Sequence, residues 1–293
     1  MDRLLGREKV AIPTFGRKTM RKKLALLLAG VMAATVVVTG TSQASAAEDT
    51  SKLNLIKPGS LVVCMTLQFV PQMYLNKRGA PTGYDYELLR KLAQELGLRL
   101  EIRNTDFNGL LAGISAKQCD MTSVGLRRTA ARELSMTFAG EYMPYQTILA
   151  TQARNKREAT RAAWNVAGVK ITCLKGAVEC AAIKDNFPNA SVVEFPTQDG
   201  ALLEVASGRA DAGVLVTAIF GGYSKTNPGV LKRVPLDPPI GSYFGNWTVQ
   251  LGNTALATRL QKWLCDAQAS GLMAKTFRRT MGYPLPAEPT CVK

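Results

Sequence analysis

Three arginines, Arg127, Arg128 and Arg132, fall within six residues, directly after the short run MTSVGL at residues 121–126. Guanidinium groups at that density bind anions, and one guanidinium can meet a carboxylate with two parallel N–H···O bonds. The run 121–126 reads as a short strand, and Arg132 falls at the start of a helix after it. Open α/β sheets take their ligands past the carboxyl ends of strands, and helix N-termini there favour anions. The ordinary reading of the same cluster is a solvated basic turn. The chain contains no histidine, which excludes Ser-His-Asp and Cys-His triads, the HExxH zinc site and most acid–base designs tuned to neutral pH.

The elements that must position these arginines follow from periodicity. Residues 61–65 (LVVCM) are expected to form a buried strand. Asp85 is expected to cap a helix with Leu88, Leu89, Leu92, Ala93 and Leu96 on one face, ending at Gly97. Residues 98–103 alternate as a strand, and Asp106 is expected to cap a helix over 109–116. With 121–126 this gives β-α-β-α-β, a doubly wound unit. A second unit follows Tyr145: strand 169–173, a glycine turn at 175–177, helix 181–187, strand 191–195, helix 199–207 and strand 212–216. Residues 235–245 (PLDPPIGSYFG) read as a Pro/Gly linker, 246–251 as extended and 254–280 as mostly helical. Two α/β units and a return crossing predict a hinged, two-lobed molecule.

Residues 1–46 read as a targeting segment. Arg21, Lys22 and Lys23 precede an apolar run at 24–38, and Ala44-Ser45-Ala46 has the A-x-A form of a signal-peptidase site. That run is short for a membrane span of roughly 20 residues. The basic stretch before Met20 is explained by translation starting at Met20. No cysteine lies near the cleavage site, so a mature form without a lipid anchor is expected. Residues 1–46 carry a net charge of +6 out of +15, leaving +9 for the exported part. No aromatic-interleaved basic stripe marks nucleic-acid binding. All six cysteines fall in the exported part, where an even count implies disulfides, and their spacing carries no zinc signature. Many pairings are open. Cys64 in the first strand could neighbour Cys119, Cys173 and Cys180 flank a glycine turn, and Cys265 could tie down the tail through Cys291.

Several segments, taken in order, resemble the periplasmic solute-binding proteins of ABC importers, polar amino-acid type. They are Gly83-Tyr84-Asp85-Tyr86-Glu87-Leu88-Leu89, Asp106-Phe107-Asn108-Gly109-Leu110, the run from Cys119-Asp120 to Glu133 with Phe138 and Tyr142, and Ser207-Gly208-Arg209-Ala210-Asp211-Ala212. The resemblance implies an α/β fold of two lobes, each an open doubly wound sheet with helices on both faces, joined by a two-segment hinge. It places lobe 1 at residues 47–142 and 245–293, and lobe 2 at 143–244. It implies that Arg132 clamps a ligand α-carboxylate, that the backbone of Gly125 faces the ligand, and that Phe69 and Phe107 wall its side chain. The same resemblance marks departures. Val216 stands where the family keeps an aspartate for the ligand ammonium, Thr66 where it keeps an acid at the first strand's exit, Val178 where it keeps a lobe 2 hydroxyl, and Arg127 where it keeps a Ser/Thr beside the clamp. A buried ammonium without a counter-charge costs several kcal/mol. Either Glu141, Glu179 or Asp199 replaces the aspartate, or the ligand is an organic acid, such as a diacid held by Arg127 and Arg132.

The expected function is a periplasmic receptor, acting as a monomer without cofactor, metal or catalytic residue. It would capture a small carboxylate-bearing solute, an amino acid first of all, for a membrane permease–ATPase pair. One alternative is a binder of a non-amino organic acid. The other is a dehydratase or lyase of the cyclohexadienyl type, for which the mark would be a solvent-hidden glutamate facing the arginine.

Overall fold

The chain is described here by a computed structural model covering residues 49–289 and 291; the expected signal peptide lies outside the described residues. A 3-10 turn (Thr50–Leu53) buries Leu53 and leads into β1 (Ser60–Met65), which is buried at every position. Within the expected polar leader 47–59, the described residues 49–59 thus include a structured turn. A separate three-stranded sheet is formed by β2 (Gln68–Phe69), β3 (Met73–Leu75) and β4 (Pro81–Thr82). Helix α1 (Tyr84–Glu95) buries Leu88, Leu89, Leu92 and Ala93 on its inner face. Next come β5 (Arg99–Asn104), α2 (Phe107–Ser115) capped by Asp106, β6 (Met121–Leu126) and the single turn α3 (Ala130–Glu133). β1 pairs parallel with both β5 and β6. β5 closes the sheet edge, and its charged residues Arg99, Glu101 and Arg103 guard that edge against further pairing.

Asp85 does not cap α1. Gly83 holds the cap position at φ +109°, and the Asp85 N–H donates to the Gln72 carbonyl at 3.1 Å. The Asp85 carboxylate turns inward, fully buried, and accepts from Ser123 Oγ (2.8 Å), Gln72 Nε2 (3.1 Å) and the Tyr142 hydroxyl.

The second half opens with the 17-residue strand β7 (Met136–Gln152). It is followed by α4 (Arg161–Trp164), β8 (Lys170–Leu174), α5 (Val178–Asn186), β9 (Ser191–Phe195), α6 (Gln198–Ala206), β10 (Ala212–Val216), α7 (Thr217–Thr226) and β11 (Leu231–Val234). The return is β12 (Gly241–Gln250), and α8 (Thr254–Ala269) and α9 (Leu272–Met281) complete the first half's core. β7 and β12 are antiparallel from Met136↔Gln250 to Thr147↔Gly241, so both crossings are extended strands. They join nine strands into one sheet, eight of them in the order β5-β1-β6-β12-β7-β10-β8-β9 and β11 beside β7. The linker expected at 235–245 is thus already strand from Gly241 onward, and α7 and β11 are elements the periodicity did not announce.

Separate cores define the halves. One packs β1, β6, α1, α2, α8 and α9 around Trp247 and Trp263, whose rings stack at 5.7 Å. Two smaller clusters fill the faces of the second half's strands. The disulfides are Cys64–Cys119, Cys173–Cys180 and Cys265–Cys291.

Candidate ligand-binding cleft

The strand–turn–helix segment 121–133 supplies one wall. β6 is buried along its whole length and ends by turning at Gly125 and Leu126 toward the cleft. Gly125 has φ +67°, and a Cβ there would collide with the Tyr145 ring and hydroxyl. Only glycine lets the backbone approach the cleft at that point. Thr129 caps α3 through a bond from the Arg132 N–H at 3.3 Å. One turn of helix has little dipole, so the anion chemistry rests on the guanidinium rather than on a helix N-terminus. Arg132 Nη1 donates to the Arg127 carbonyl at 3.0 Å, and Nη2 donates across the cleft to the Gly176 carbonyl at 3.2 Å. Its guanidinium lies 6.0 Å from the centre of the Phe107 ring. Burial lowers its pKa, opposed by Tyr243 and Glu179 and assisted by Arg127.

The facing wall comes from the second half. Leu174, Ala177, Val178 and Glu179 follow β8 into the first turn of α5, which starts three residues earlier than periodicity predicted. Val216 ends β10, and Ile219 stands on α7. β7 and β12 form the back with Tyr145 and Tyr243, whose rings meet at 5.2 Å. The cavity volume is about 40 Å³. The halves touch on both sides of it: Gly176 lies against Asn108, and Gly222 lies so close to the Val70 carbonyl that any Cβ would clash.

Seven of the eight candidate ligand residues line this one cavity: Arg132, Gly125, Phe69, Phe107, Arg127, Val178 and Val216. Thr66 does not; it is fully buried beneath, accepting from Gln68 Nε2 at 2.5 Å. Of the three acids weighed as replacements, Glu179 is in the cavity, Asp199 lines an adjoining groove, and Glu141 lies outside both. Arg128 pairs with Glu133 at 2.8 Å, as a surface residue would.

Among the described residues Glu179 is the only acid lining the cavity, and it shares it with two guanidiniums. It is buried, and its Oε1 accepts from the Tyr243 hydroxyl at 3.1 Å. Burial raises its pKa; Tyr243, Arg132 and Arg127 pull it back down. Arg127 in turn lies 5.5 Å over the Tyr243 ring. The cavity therefore carries both signs: guanidiniums for a carboxylate, a carboxylate for a cation, and aromatic rings between them. Tyr145, Tyr243 and Gln198 were missed in the sequence. Tyr243 sits in the stretch taken for a linker and Tyr145 at the unit boundary, and nothing in their local pattern marks them.

The model for bacterial extracellular solute-binding proteins, family 3, matches residues 61–283. The ABC transporter arginine-binding protein 1 of Escherichia coli K12 is 24% identical over 198 residues, 66% of this chain and 79% of that protein. The L-cystine-binding protein TcyA of Bacillus subtilis 168 is 22% identical over 277 residues, 90% of this chain and 98% of that protein. Among solved structures, a P235GK mutant of ArgBP from T. maritima superposes with a TM-score of 0.70 at 23% identity, covering 77% of this chain and 96% of that one. An ancestral amino acid-binding protein, described as a precursor of cyclohexadienyl dehydratase, gives a TM-score of 0.69 at 24% identity, covering 76% and 95%. These superpositions show the two-lobed fold. The family match runs through every element that builds the cleft, and the chain belongs to the bacterial extracellular solute-binding proteins, family 3.

Proposed function

We propose that this protein is an extracytoplasmic receptor for an α-amino acid, which it delivers to the permease of an ABC importer. The observation that carries the reading is the presence of Arg132 and Glu179 on the lining of one cavity. The guanidinium takes the α-carboxylate in a charge-assisted bond, and the carboxylate takes the α-ammonium. Phe69 and Phe107 cover the carbon frame from the first half. The family's usual aspartate position is apolar here, at Val216, and Glu179 on α5 supplies the missing counter-charge from a different element. The ligand's two charges hold one lobe each, so binding favours the closed form over the open one. Relatives named for binding arginine and cystine support an amino-acid ligand, and the family's extracellular character supports a site of action outside the cytoplasm.

Isothermal calorimetry against single amino acids tests this. Trp164 and Trp247 are fully buried and line neither side of the cleft, so heat is the better signal than their fluorescence. Arg132→Ala should weaken binding by about a hundredfold or more, the equivalent of roughly 3 kcal/mol. Unchanged affinity would remove Arg132 from the site. A second reading rests on Glu179 alone: a buried acid of raised pKa facing an arginine also suits proton transfer in a lyase. Aromatic product formed from prephenate or arogenate, and lost in Glu179→Gln, would establish it; none is expected.

A further inference from the structure

The disulfide Cys173–Cys180 differs from the other two in what it encloses. Cys173 lies on β8 and Cys180 in the first turn of α5, with Cα atoms 5.4 Å apart. Both side chains are buried in a core of the second half with Ile171, Ile183 and Phe187. Between them runs the turn 174–179, and its Leu174, Ala177, Val178 and Glu179 line the cavity. The Gly176 carbonyl of the same turn accepts from Arg132 Nη2 at 3.2 Å. The bridge therefore fastens one wall of the cleft to the core behind it.

This wall has modest restraint from the backbone. Helix α5 starts without a side-chain cap, because Ala177 at the cap position offers no acceptor. The turn is held by the Lys175 N–H on the Phe195 carbonyl at 2.8 Å and the Ala177 N–H on the Leu174 carbonyl at 3.0 Å. The Cys180 N–H adds a longer bond to the Ala177 carbonyl, at 3.2 Å. A cross-link constrains the unfolded chain less as the loop it closes gets shorter. This one spans seven positions, against 55 for Cys64–Cys119 and 26 for Cys265–Cys291. Global stability is thus the smaller part of what it supplies. Local order is the larger part, at the residues that a ligand meets.

We infer that the Cys173–Cys180 bridge is a positioning element of the binding site, holding Glu179 where it meets the ligand's α-ammonium. A loop fixed before binding does not have to be ordered by the ligand. Without the bridge, the turn 174–179 moves apart from the core, and Glu179 loses its fixed place opposite Arg132. Arg132 itself stays held within its own half by its bond to the Arg127 carbonyl, so carboxylate recognition persists. The loss falls on the contribution of the α-amino group. This inference rests on the receptor reading above.

Calorimetry separates the two. Each proteinogenic L-amino acid is titrated singly into wild type. The tightest binder is then compared with its des-amino analogue, the same acid with hydrogen in place of the α-ammonium. Wild type should prefer the amino acid by about a hundredfold. Cys173→Ala with Cys180→Ala should cut that ratio to under about tenfold, while affinity for the des-amino acid stays within about threefold of wild type. A cooperative melting transition shows that the variant is folded. Cys265→Ala with Cys291→Ala is the control, since among the described residues that bridge encloses none of the cavity lining; it should keep the full ratio even where its melting temperature falls. A folded Cys173→Ala, Cys180→Ala variant that keeps the full ratio, or that weakens both ligands equally, overturns the positioning role and leaves the receptor reading standing. Cys173→Val with Cys180→Ala refills more of the core; if neither pair folds, the bridge is a global staple and the inference is overturned. If no amino acid binds wild type, the receptor reading falls and takes this inference with it.

Discussion

Two buried carboxylates sit on neighbouring parts of this molecule and do opposite things. Asp85 is fully buried in the first half's core and accepts from three neutral donors, Ser123, Gln72 and Tyr142. Its network reaches the cleft only indirectly, where Gln72 Oε1 accepts from the Tyr145 hydroxyl at 2.7 Å. Glu179 is also buried but has a single side-chain donor, the Tyr243 hydroxyl, and faces a cavity with two guanidiniums. Burial alone does not mark a binding group. What separates the two is acceptor capacity left open: Asp85's is consumed by the fold, and Glu179's remains for a ligand.

The sharpest way to break that comparison is to delete each acid. Asp85→Ala strands three buried donors, each costing about 1–3 kcal/mol, so a loss of roughly 4 kcal/mol or more in urea unfolding is expected. Glu179→Ala should change stability by about 1 kcal/mol or less, since it removes an imperfectly compensated buried charge. Equal destabilisation by both would erase the distinction.

The pH dependences should run in opposite directions. Burial, opposed by its three donors, pushes Asp85 up to about 6 from an ordinary 3.8. The folded state then holds that proton more tightly than the unfolded state does. Asp85's contribution to stability is therefore full at low pH and is lost as pH rises toward and through about 6, by about 3 kcal/mol in all. Asp85→Asn should remove this component from a stability–pH curve. Ligand affinity should do the reverse: the ammonium binds ionised Glu179, so affinity holds at neutral pH and falls as acid protonates a glutamate whose pKa lies above the ordinary range. Glu179→Gln should lower affinity by about a hundredfold at neutral pH and flatten that fall. Affinity that stays level on acidification in the wild type would place the ammonium elsewhere.

Legibility in the sequence followed the same division. The Arg132 wall is local: strand, turn and capped helix lie within residues 121–133, and the bounds of β6 match the short strand read there. Asp85 was visible as a charged residue at a helix start and was misread as a cap, because nothing local shows that Gln72 and Tyr142 fold over it. The α5 start was placed late because Ala177 offers no capping side chain, which left Glu179 one open choice among three. β7 escaped, and β12 was legible only in its second half, at 246–250, because both pass from one core to another. Buried positions on β7 change rhythm partway, so no single period of two runs through it. Tyr243 was hidden for that reason, in a stretch rich in proline and glycine whose second half is a crossing strand.

Tyr243 gives the smallest and most discriminating test. Its hydroxyl donates to Glu179 Oε1, and its ring carries Arg127 at 5.5 Å. Tyr243→Phe keeps the ring, the stacking on Tyr145 and the cation–π contact, and removes one donor to a charged acceptor, worth about 1.5–3 kcal/mol in a buried setting. Part of that loss falls on ligand-free stability, so affinity should drop by about tenfold or less. The direction of the pH shift is the stronger readout. Without the phenol, Glu179 loses one of the interactions that pull its pKa down, so the acid fall in affinity should move to higher pH than in wild type. The same substitution leaves Asp85 and its donors untouched, so the stability–pH component belonging to Asp85 should not move. A Tyr243→Phe variant whose affinity profile stays in place while its stability profile shifts would tie Tyr243 to the structural carboxylate rather than to the cleft, and would reverse the assignment of the two acids.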